Sequence, residues 1–538
     1  MLKYLNFFLS ANRFYMKNTF FLKLLFLCCL QLSFLLSRAQ TEVHISDPQN
    51  WNSSSLSKYV GQTVVFDVPF YICNNYYYKT GTYIIAPHRI FAPTNQALPA
   101  SSEYYSLIKA NENAEIEING ISGYHRMGEK LYNLQVYVNS SNSVSFKSCD
   151  FRGNTRQDMQ TLPSVDLLAE HTLLVCAFNL EYYLVENLGT GYGPGSKSDS
   201  DKQHSKIMDA LTHIKADIFG FVEIEGGPTA LRKLATSLTA ATGFEYTFSE
   251  DDAYSNGSFT KAGYVYRKDR VKQVGKVTSN NTATSNRKKV TMFEEIATGE
   301  RFLLSVNHFK AKSGTGNGAD ADQKDGQGIF NATRTNEANS VLSSDMDKLY
   351  QDPDILVVGD LNAYAKEDPI QAFINAGYTD LHRAFHKDTS YSYVFRDQAG
   401  YLDHALASKT LYPQVTGMAA YHINSDEHDG FTYDKSSDLT MFRSSDHDPV
   451  LIGLRLSNEP LYKWQPIVKQ DNSLVLSADN NSLSARVFTL TGFLYSQVEL
   501  SAGQELNLSD LHLPKGVYIV ELYGGQHQHK AQKVIVTQ

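Results

Sequence analysis

The feature that most limits the fold of this chain is a long alternation of apolar strand-like runs and amphipathic helices from residue 172 to about residue 456. The run 172–178 opens it, and helices are predicted over 201–214 and 336–349. The first of these helices repeats apolar side chains at helical spacing, at Ile207, Met208, Leu211 and Ile214. Strands and helices that alternate in this way are typical of an α/β domain, in which helices cover the sheet.

The segments on either side of this region lack helical periodicity. Residues 40–165 contain short strand-like stretches separated by turn residues, which predicts a small all-β domain. Residues 458–538 also indicate strands and turns, and 538 residues are too many for one core. The predicted organisation is therefore a leader at 1–39, an all-β domain at 40–165, an α/β domain at 166–457 and a small β-sandwich at 458–538.

The leader has the composition of an export signal. A cationic start precedes an apolar run over 19–36, and Ser37 and Ala39 place small residues where a signal peptidase cuts. We expect cleavage after Ala39, passage through the periplasm, and a mature protein that is secreted or held at the cell surface. The alternative is an uncleaved anchor helix, although the unbroken apolar part falls short of the ~20 residues that span a bilayer. The mature form is expected to have no stable membrane span.

Three cysteines follow the leader, at positions 73, 149 and 176. Their number and spacing fit neither a disulfide framework nor a zinc site. A bridge between Cys73 and Cys149 is open to a protein in an oxidising compartment. Cys176 lies in an apolar strand-like run, so it is expected to be a core residue.

The formal net charge of −8 limits how this protein can meet an anionic partner. It argues against a protein that holds nucleic acid through a broad basic surface. It does not exclude an enzyme that meets phosphate groups through a metal ion and a few local cations.

Within the α/β region, polar side chains stand at the ends of apolar strands, where such a sheet presents residues to a ligand. They are Asn179, Glu223, His308, Asp360, Asn362, Asp403, Asp446 and His447. Each alone has an ordinary explanation as a solvated strand end, a turn or a helix cap. Together they consist only of carboxylates, amides and imidazoles, the groups that bind hard cations and move protons.

This order of residues resembles the endonuclease/exonuclease/phosphatase superfamily, over residues 172–456. Longer stretches resemble the bacterial extracellular nucleases of that superfamily, at 307–312, 325–328, 331–334, 400–406 and 422–427. Val222 and Tyr421 depart from the usual pattern, but neither position supplies a metal ligand. The resemblance implies a four-layer α/β sandwich, in which helices flank two packed β-sheets.

The resemblance also implies a role for each residue. Glu223, with Asn179 and Asp446, would hold Mg²⁺ or Mn²⁺. Asp360 and Asn362 would orient the attacking water. His447 would contact the scissile phosphate with its ring fixed by Asp403, and His308 would be a second phosphate contact or an acid. The candidate substrate contacts are Arg267, Arg287, Lys310 and Arg334, with Lys312 as a further cation.

The loop 313–328 contains Asp320, Asp322 and Asp325, which could bind a structural Ca²⁺. Its spacing is not that of a regular calcium loop. The alternative is a surface loop without a ligand.

The flanking domains carry resemblances of their own. Residues 40–165, with the segment 91–95, resemble the oligonucleotide-binding-like (OB-like) β domain that precedes some secreted nuclease domains; the alternative is a generic β accessory domain. Residues 487–492, 513–518 and 533–536 resemble the C-terminal sorting domain of type IX secretion, which implies the type IX secretion machinery as a partner. The alternative there is a small β-sandwich of unknown use.

The interpretation that accounts for most of these features is a secreted metal-dependent nuclease, expected to be a monomer, that hydrolyses DNA or RNA. One alternative is a secreted phosphodiesterase or phosphatase for phospholipids, like a sphingomyelinase, or for small phosphoesters. A second is an inactive binding or adhesion protein on the same scaffold.

Overall fold

A computed structural model describes residues 43–46, 53–163, 171–249, 260–279, 287–344, 346, 351–457, 467–468, 474–477, 483–489, 494–501, 505–524 and 529–536. The predicted signal peptide lies outside these residues. The chain divides into two compact units, Met1–Leu456 and Ser457–Gln538. The N-terminal β region and the α/β region therefore belong to one unit.

The N-terminal region forms one seven-stranded sheet in the order β1-β2-β6-β3-β4-β5-β7. Because β6 also pairs with β7, strands β3 to β7 close into a five-stranded barrel, in which β5 and β7 are parallel. The strands are β1 (Val43–Ile45), β2 (Thr63–Phe66), β3 (Phe70–Asn74), β4 (Thr82–Ala86), β5 (Ile116–Asn119), β6 (Lys130–Val138) and β7 (Ser143–Arg152).

This region is not all β, because it also contains helices α1 (Ser53–Leu56), α2 (Pro93–Gln96) and α3 (Ser102–Ala114). Helix α3 begins after Ser101, whose side chain accepts a hydrogen bond from the Tyr104 amide at 3.1 Å. This bond caps the first turn. Only Tyr104, Asn111 and Ala114 of α3 are buried, so the helix carries too short an apolar pattern to be recognised in the sequence.

The α/β region contains two six-stranded sheets and a two-stranded hairpin. The first sheet has the order β10-β11-β9-β8-β21-β20, the second has the order β12-β13-β14-β15-β19-β16, and β17 pairs with β18. The strands are β8 (Leu173–Tyr183), β9 (Ile218–Glu225), β10 (Tyr246–Phe248), β11 (Thr260–Arg267), β12 (Val271–Ser279), β13 (Lys288–Glu295), β14 (Arg301–Asn307), β15 (Ile355–Asp360), β16 (Thr379–Asp380), β17 (Tyr393–Phe395), β18 (Gln398–Gly400), β19 (Asp403–Ala407), β20 (Val415–Ala420) and β21 (Val450–Leu454). The helices are α4 (Lys197–Ile214), α5 (Pro228–Thr242), α6 (Asn331–Leu342), α7 (Asp368–Asn375) and α8 (Leu381–His386).

Strand β8 shows how the sequence produces this arrangement. All residues from Leu173 to Leu180 are buried, so the strand is covered on both faces. Leu173 and Val175 join the apolar cluster shared with strands of the second sheet, whereas Leu174 and Cys176 join the cluster made with α4 and α5. Successive strand side chains point to opposite faces, which explains the alternation. The prediction that Cys176 is a core residue is confirmed.

The two sheets approach each other closely at Gly220 of β9. A Cβ atom at this position would lie 2.6 Å from a methyl group of Val306 on β14. Any larger residue would therefore push the sheets apart at this point. On the outer side of the second sheet, residues such as Leu303 and Val357 pack with helices α6 and α7.

Cys73 and Cys149 are both free thiols, so the bridge considered from the sequence is not present. Cys73 lies on β3 and Cys149 on β7, and β6 runs between these strands. The two residues also belong to different apolar clusters. A disulfide needs Cα atoms within about 7 Å, and strands on either side of a third are roughly 9–10 Å apart.

The unit Ser457–Gln538 contains a three-stranded sheet, β22-β23-β26, and a four-stranded sheet, β25-β24-β27-β28, with antiparallel pairing throughout. Its strands are β22 (Ile467–Val468), β23 (Leu474–Ser477), β24 (Leu483–Thr489), β25 (Leu494–Leu500), β26 (Glu505–Asn507), β27 (Gly516–Gly524) and β28 (His529–Val536). Among the helices that the structure describes, none is long and apolar enough to cross a membrane.

Candidate active site

One edge of the two packed sheets collects the polar residues that the sequence singles out. Asn179 of β8 pairs in register with Val222 of β9, so it lies beside Glu223. Asp360 of β15 pairs with Asp403 of β19. The remaining members, His308, Asn362, Asp446 and His447, directly follow β14, follow β15 or precede β21. The parallel alignment of β8 with β9 and of β14 with β15 brings their carboxyl ends to this edge.

Asp360 lies at the centre of this cluster. Its Oδ2 accepts hydrogen bonds from the Asn179 amide group at 3.2 Å and from the Asn362 amide group at 3.1 Å. The His308 Nε2 atom is 3.7 Å from the same oxygen and 3.4 Å from Oε1 of Glu223. The structure therefore brings two amides, an imidazole and two carboxylates into one cluster.

Gly359 is what permits Asp360 to sit so close to the end of β14. Its φ is +115°, and a Cβ atom there would lie 2.1 Å from the Asn307 carbonyl oxygen. Such an approach is open only to glycine. The next backbone contact, from the Phe309 amide to the Asp360 carbonyl at 2.9 Å, ties the two strand ends together.

His447 is paired with Asp403. The His447 Nδ1 atom lies 2.7 Å from Oδ2 of Asp403, and the Ser392 hydroxyl donates to the same oxygen at 2.7 Å. The ring of Tyr393 stacks on the His447 ring at 4.7 Å. The opposite ring atom, Nε2, is 3.9 Å from carboxylate oxygens of both Asp360 and Asp446. The imidazole is thus held in one orientation, with Nε2 facing the cluster.

The pKa values of the two histidines are shifted in opposite directions. Burial alone lowers the pKa of His447, but Asp403, Asp446 and Asp360 raise it well above its usual value, which favours the imidazolium. Burial, Arg287 and the charge of His447 lower the pKa of His308 well below its usual value, which favours its neutral imidazole. The surroundings therefore favour opposite charge states for the two histidines.

Two carboxyl groups of the cluster have raised pKa values. Burial, Asp446 and Asp360 raise the pKa of Glu223 to about 8. Burial also raises the pKa of Asp360 to about 6, a shift that His447 opposes and Asp403 favours. Burial and the neighbouring carboxylates thus disfavour the ionised forms of Glu223 and Asp360. No group of three or more His, Cys, Asp or Glu side chains in the described residues has the arrangement of a preformed metal site.

A kink directly after Asn179 is not evident from the sequence. Glu181 and Tyr182 have φ values of +49° and +54°, an uncommon conformation for residues other than glycine. The kink turns the Glu181 amide onto Oδ1 of Asn179 at 3.0 Å and the Tyr182 amide onto Glu223 at 3.1 Å. Burial and Asp446 raise the pKa of Glu181 to about 7, against the influence of Arg443. Its position two residues after Asn179 was the only signal available.

Ser445 is a second missed residue. Its hydroxyl donates to the Asn179 carbonyl at 2.7 Å and accepts from the His447 amide at 3.2 Å. It therefore fixes the segment that carries Asp446 and His447 against strand β8.

The four predicted substrate contacts lie in different places. Arg287 is in the site, with its Nε 3.3 Å from Nδ1 of His308. Lys310 is two residues beyond His308, and its ammonium lies 4.5 Å from the Phe330 ring. Arg267 is not brought to the site: β11 runs antiparallel to β9, so its last residue lies beyond Ile218, at the far end of the sheet. There it is paired with Asp217 at 3.4 Å and with Asp269 at 2.7 Å.

Arg334 is fully buried in α6, which argues against a direct phosphate contact. Its guanidinium donates to the carbonyls of Gln327 and Ile329, both at 2.8 Å, and of Lys310 at 3.3 Å. Arg334 thus holds the neighbouring loop and the backbone of Lys310.

The three aspartates of the loop 313–328 do not converge. Asp320 accepts from the amide and hydroxyl of Thr333, Asp322 pairs with Lys324, and Asp325 accepts from Gln327. Each carboxylate is bonded to a different nearby residue, so the three do not form a shared calcium site.

A family model described as the endonuclease/exonuclease/phosphatase family matches residues 176–447, just over half of the 538 residues. Similar solved structures include a mannosyl-6-phosphatase of Bacteroides thetaiotaomicron, the human Nocturnin catalytic domain with bound sulfate, and D. rerio TDP2 complexed with a single-strand DNA product. They are 16%, 16% and 17% identical, with TM-scores of 0.36, 0.35 and 0.34. Each covers 53% of this chain, and the alignments cover 100%, 94% and 99% of those chains. The comparison with curated proteins gave no match.

The family match spans the strands and loops that carry the cluster, from Cys176 to His447. That range contains all eight polar residues that the sequence places at strand ends, from Asn179 to His447. The chain therefore belongs to the endonuclease/exonuclease/phosphatase family, whose members are hydrolases of phosphoester bonds.

Proposed function

We propose that this protein is a secreted, metal-dependent nuclease that hydrolyses phosphodiester bonds of DNA, or of RNA, by in-line attack of water. The observation that carries the proposal is the pairing of His447 with Asp403 at 2.7 Å, opposite the carboxylates of Glu223, Asp360 and Asp446. The charged imidazole can donate a hydrogen bond to a phosphate oxygen, and a carboxylate beside it can accept a proton from water.

The donor set suits a hard divalent cation. Glu223, Asp446 and Asn179 supply oxygen atoms, the ligands that such a cation prefers. Burial and neighbouring carboxylates raise the pKa of Glu223 to about 8, and a bound cation would favour its ionised form. Mg²⁺ or Mn²⁺ held there would neutralise phosphate charge and stabilise the negative charge on the oxygen that leaves when the phosphoester bond breaks.

Each side chain of the cluster has its own role in the proposed reaction. The His447 imidazolium donates from Nε2 to a phosphate oxygen, and Asp403 keeps the ring charged and oriented. Asp360 accepts the proton of the attacking water, and the Asn362 side chain, 3.1 Å from it, orients the carboxylate. Neutral His308 donates or accepts a hydrogen bond beside Glu223, and Arg287 and Lys310 meet flanking phosphates.

Exposed aromatic side chains near the site favour nucleic acid over a small phosphoester. Phe395 is 57% exposed and lies two residues beyond Tyr393 on strand β17, so both side chains point to the same face. Tyr192 is also 57% exposed, and its ring stacks on that of Tyr182, whose amide binds Glu223. Such rings suit the stacking of unpaired bases, which is tolerant of base sequence.

The finer features of the fold support the same proposal. Apolar clusters between the two sheets, beneath α4 and α5, and beneath α6 and α7 support the four-layer sandwich expected for the family. The closed barrel of β3 to β7 supports an OB-like domain, and the antiparallel strands of Ser457–Gln538 support a sorting domain. Export, the type IX machinery as a partner and a monomeric state remain parts of the proposal.

The test is digestion of supercoiled plasmid by the purified mature chain in Mg²⁺, Mn²⁺, Ca²⁺ or EDTA. Nicking that requires a divalent ion and is abolished in His447→Ala is the expected result. Arg267→Ala, at the far end of the sheet, is the matched control and should retain activity. Single-stranded DNA, RNA, sphingomyelin and mannose 6-phosphate are assayed in parallel. Turnover of only the last two would overturn the nuclease assignment, and binding without turnover would identify an inactive scaffold.

A further inference from the structure

The N-terminal barrel holds a buried loop of the α/β region, residues 422–428. Asp426 of this loop has no exposed surface. Its Oδ1 forms an ion pair with Arg89, and its Oδ2 accepts from the Asn154 side chain at 2.7 Å. The backbone is held as well, because the Met127 amide donates to the Asp426 carbonyl at 3.1 Å.

Glu427, the next residue, is held in the same way. Its Oε1 lies 2.6 Å from the buried Arg126 guanidinium, and its Oε2 accepts from the Tyr124 hydroxyl at 2.8 Å. Arg156 reaches both oxygens, at 3.0 and 2.6 Å. These partners all belong to the barrel or to the segment that follows it. Two adjacent buried carboxylates are therefore neutralised from the N-terminal region.

The other side of the loop holds the segment that carries His447. The Asn424 side chain donates to the His447 carbonyl at 2.7 Å. The amides of Asn424 and Ser425 both donate to Oδ1 of Asp448 at 2.9 Å. The backbone immediately around the catalytic imidazole is thus fixed by a loop that the barrel fixes in turn.

A second connection reaches the ring of His447. The Ala399 amide donates to the Ile90 carbonyl at 2.8 Å, and the Ala92 amide donates to the Ala399 carbonyl at 2.9 Å. Ala399 lies on β18, the partner of the strand that carries Tyr393. Tyr393 is the side chain stacked on His447.

We propose that Arg89 and Asn154 are positioning residues for His447, acting through Asp426, and that the N-terminal barrel is an integral part of the catalytic centre. The barrel then does more than bring substrate to an independent catalytic domain. The inference rests on the proposed function for its kinetic readout, but its structural readout is independent of turnover.

The test compares Asp426→Asn with Asp217→Asn. The first change replaces a carboxylate oxygen that accepts from Arg89 or Asn154 by an amide group of similar size. The second is a matched control, because Asp217 is also buried and paired with two arginines, Arg267 and Arg270, at the far end of the sheet. For both variants, Tm, kcat and KM are measured on single-stranded DNA with Mn²⁺, together with the ¹H–¹⁵N spectrum of histidine-labelled protein.

We expect Asp426→Asn to lower kcat at least tenfold with KM within twofold, and to shift or broaden the downfield Nδ1–H signal that is lost in His447→Ala. Asp217→Asn should lose as much Tm while kcat and that signal stay unchanged. Arg89→Lys, which keeps the charge, should recover part of the kcat lost in Arg89→Ala. The inference is wrong if the signal is unchanged in Asp426→Asn, or if both aspartate variants lose kcat equally. A wild-type chain without phosphoester turnover would instead overturn the proposed function, and the spectrum would still decide the positioning role.

Discussion

The Nδ1 atom of His447 lies 2.7 Å from Oδ2 of Asp403, although 44 residues separate them in the chain. Asp403 begins strand β19, and His447 stands shortly before β21. These strands belong to different sheets, so the two sheets must be packed together before this pair can form. Since Ser392 also donates to Asp403, the carboxylate cannot rotate freely. The fixed carboxylate in turn fixes the orientation of the imidazole ring.

Replacing Asp403 by Asn should lower kcat by about two to four orders of magnitude, because the amide neither favours the imidazolium nor fixes the ring tautomer. KM should change little, since Asp403 is behind the ring and does not meet the substrate. Steady-state kinetics on single-stranded DNA, with circular dichroism to verify folding, would check this. A variant with more than a tenth of the wild-type kcat would contradict the role given to Asp403.

Ionisation of Glu115 should lower the stability of the chain as the pH rises. Burial and a hydrogen bond to Asp397 raise the pKa of Glu115 to about 8. An acid with a raised pKa in the folded state binds more protons folded than unfolded, so stability is lost between about pH 4.5 and pH 8. Because Glu115 is only partly buried, we expect Glu115→Gln to stabilise the chain by on the order of 1 kcal/mol at pH 8.

Thermal unfolding at pH 4 and pH 8 provides the check. The gain in Tm for Glu115→Gln should be present at pH 8 and absent at pH 4, where the carboxyl is protonated in both states. An equal gain at both pH values would show that the effect is not electrostatic.

Removing the ring of Phe395 should weaken the binding of single-stranded DNA. Loss of one base–aromatic stack costs roughly 1–3 kcal/mol, so KM should rise about fivefold or more in Phe395→Ala. Hydrolysis of an abasic oligonucleotide, which carries no nucleobase, should not change. Tyr412→Ala is the control, because Tyr412 is also exposed but lies beyond the far end of β19. Equal losses on both substrates would rule out base stacking.

Substitution of Arg287 should affect turnover, whereas substitution of Arg267 should affect only stability. Arg287→Ala should lower kcat/KM about tenfold, which corresponds to a loss of roughly 1.4 kcal/mol in transition-state binding. Arg267→Ala should leave kcat/KM unchanged and lower Tm, since it breaks the ion pair with Asp217 at 3.4 Å. If instead Arg267→Ala impaired turnover in the folded enzyme, the far end of the sheet would have a part in catalysis.

The sequence alone predicted the cluster of polar residues because strand ends are local features. Each of the eight residues follows or precedes an apolar run, and an α/β sheet gathers such positions at one edge. The helix predicted over 201–214 is present as Lys197–Ile214, extended by one turn because the Ser196 side chain accepts from the Asp199 amide. Local patterns of this kind need no knowledge of the fold.

Contacts between distant segments could not be predicted. Arg89 and Asp426 are 337 residues apart, and neither belongs to a periodic pattern. Arg267 is a candidate substrate contact in the sequence because it is a cation of the α/β region that could meet a phosphate. The antiparallel direction of β11 places it at the opposite edge of the sheet. Strand direction is a property of the assembled sheet.

The order of the site along the chain has a consequence for synthesis. Its first member, Asn179, and the barrel residues that hold the loop 422–428 are translated early, whereas Asp446 and His447 emerge last. A nascent chain on the ribosome therefore lacks both the His447 imidazole and the Asp446 carboxylate until the segment 446–447 has been made. Under the proposed function, incomplete products of translation would not hydrolyse the nucleic acids of the cell that makes them.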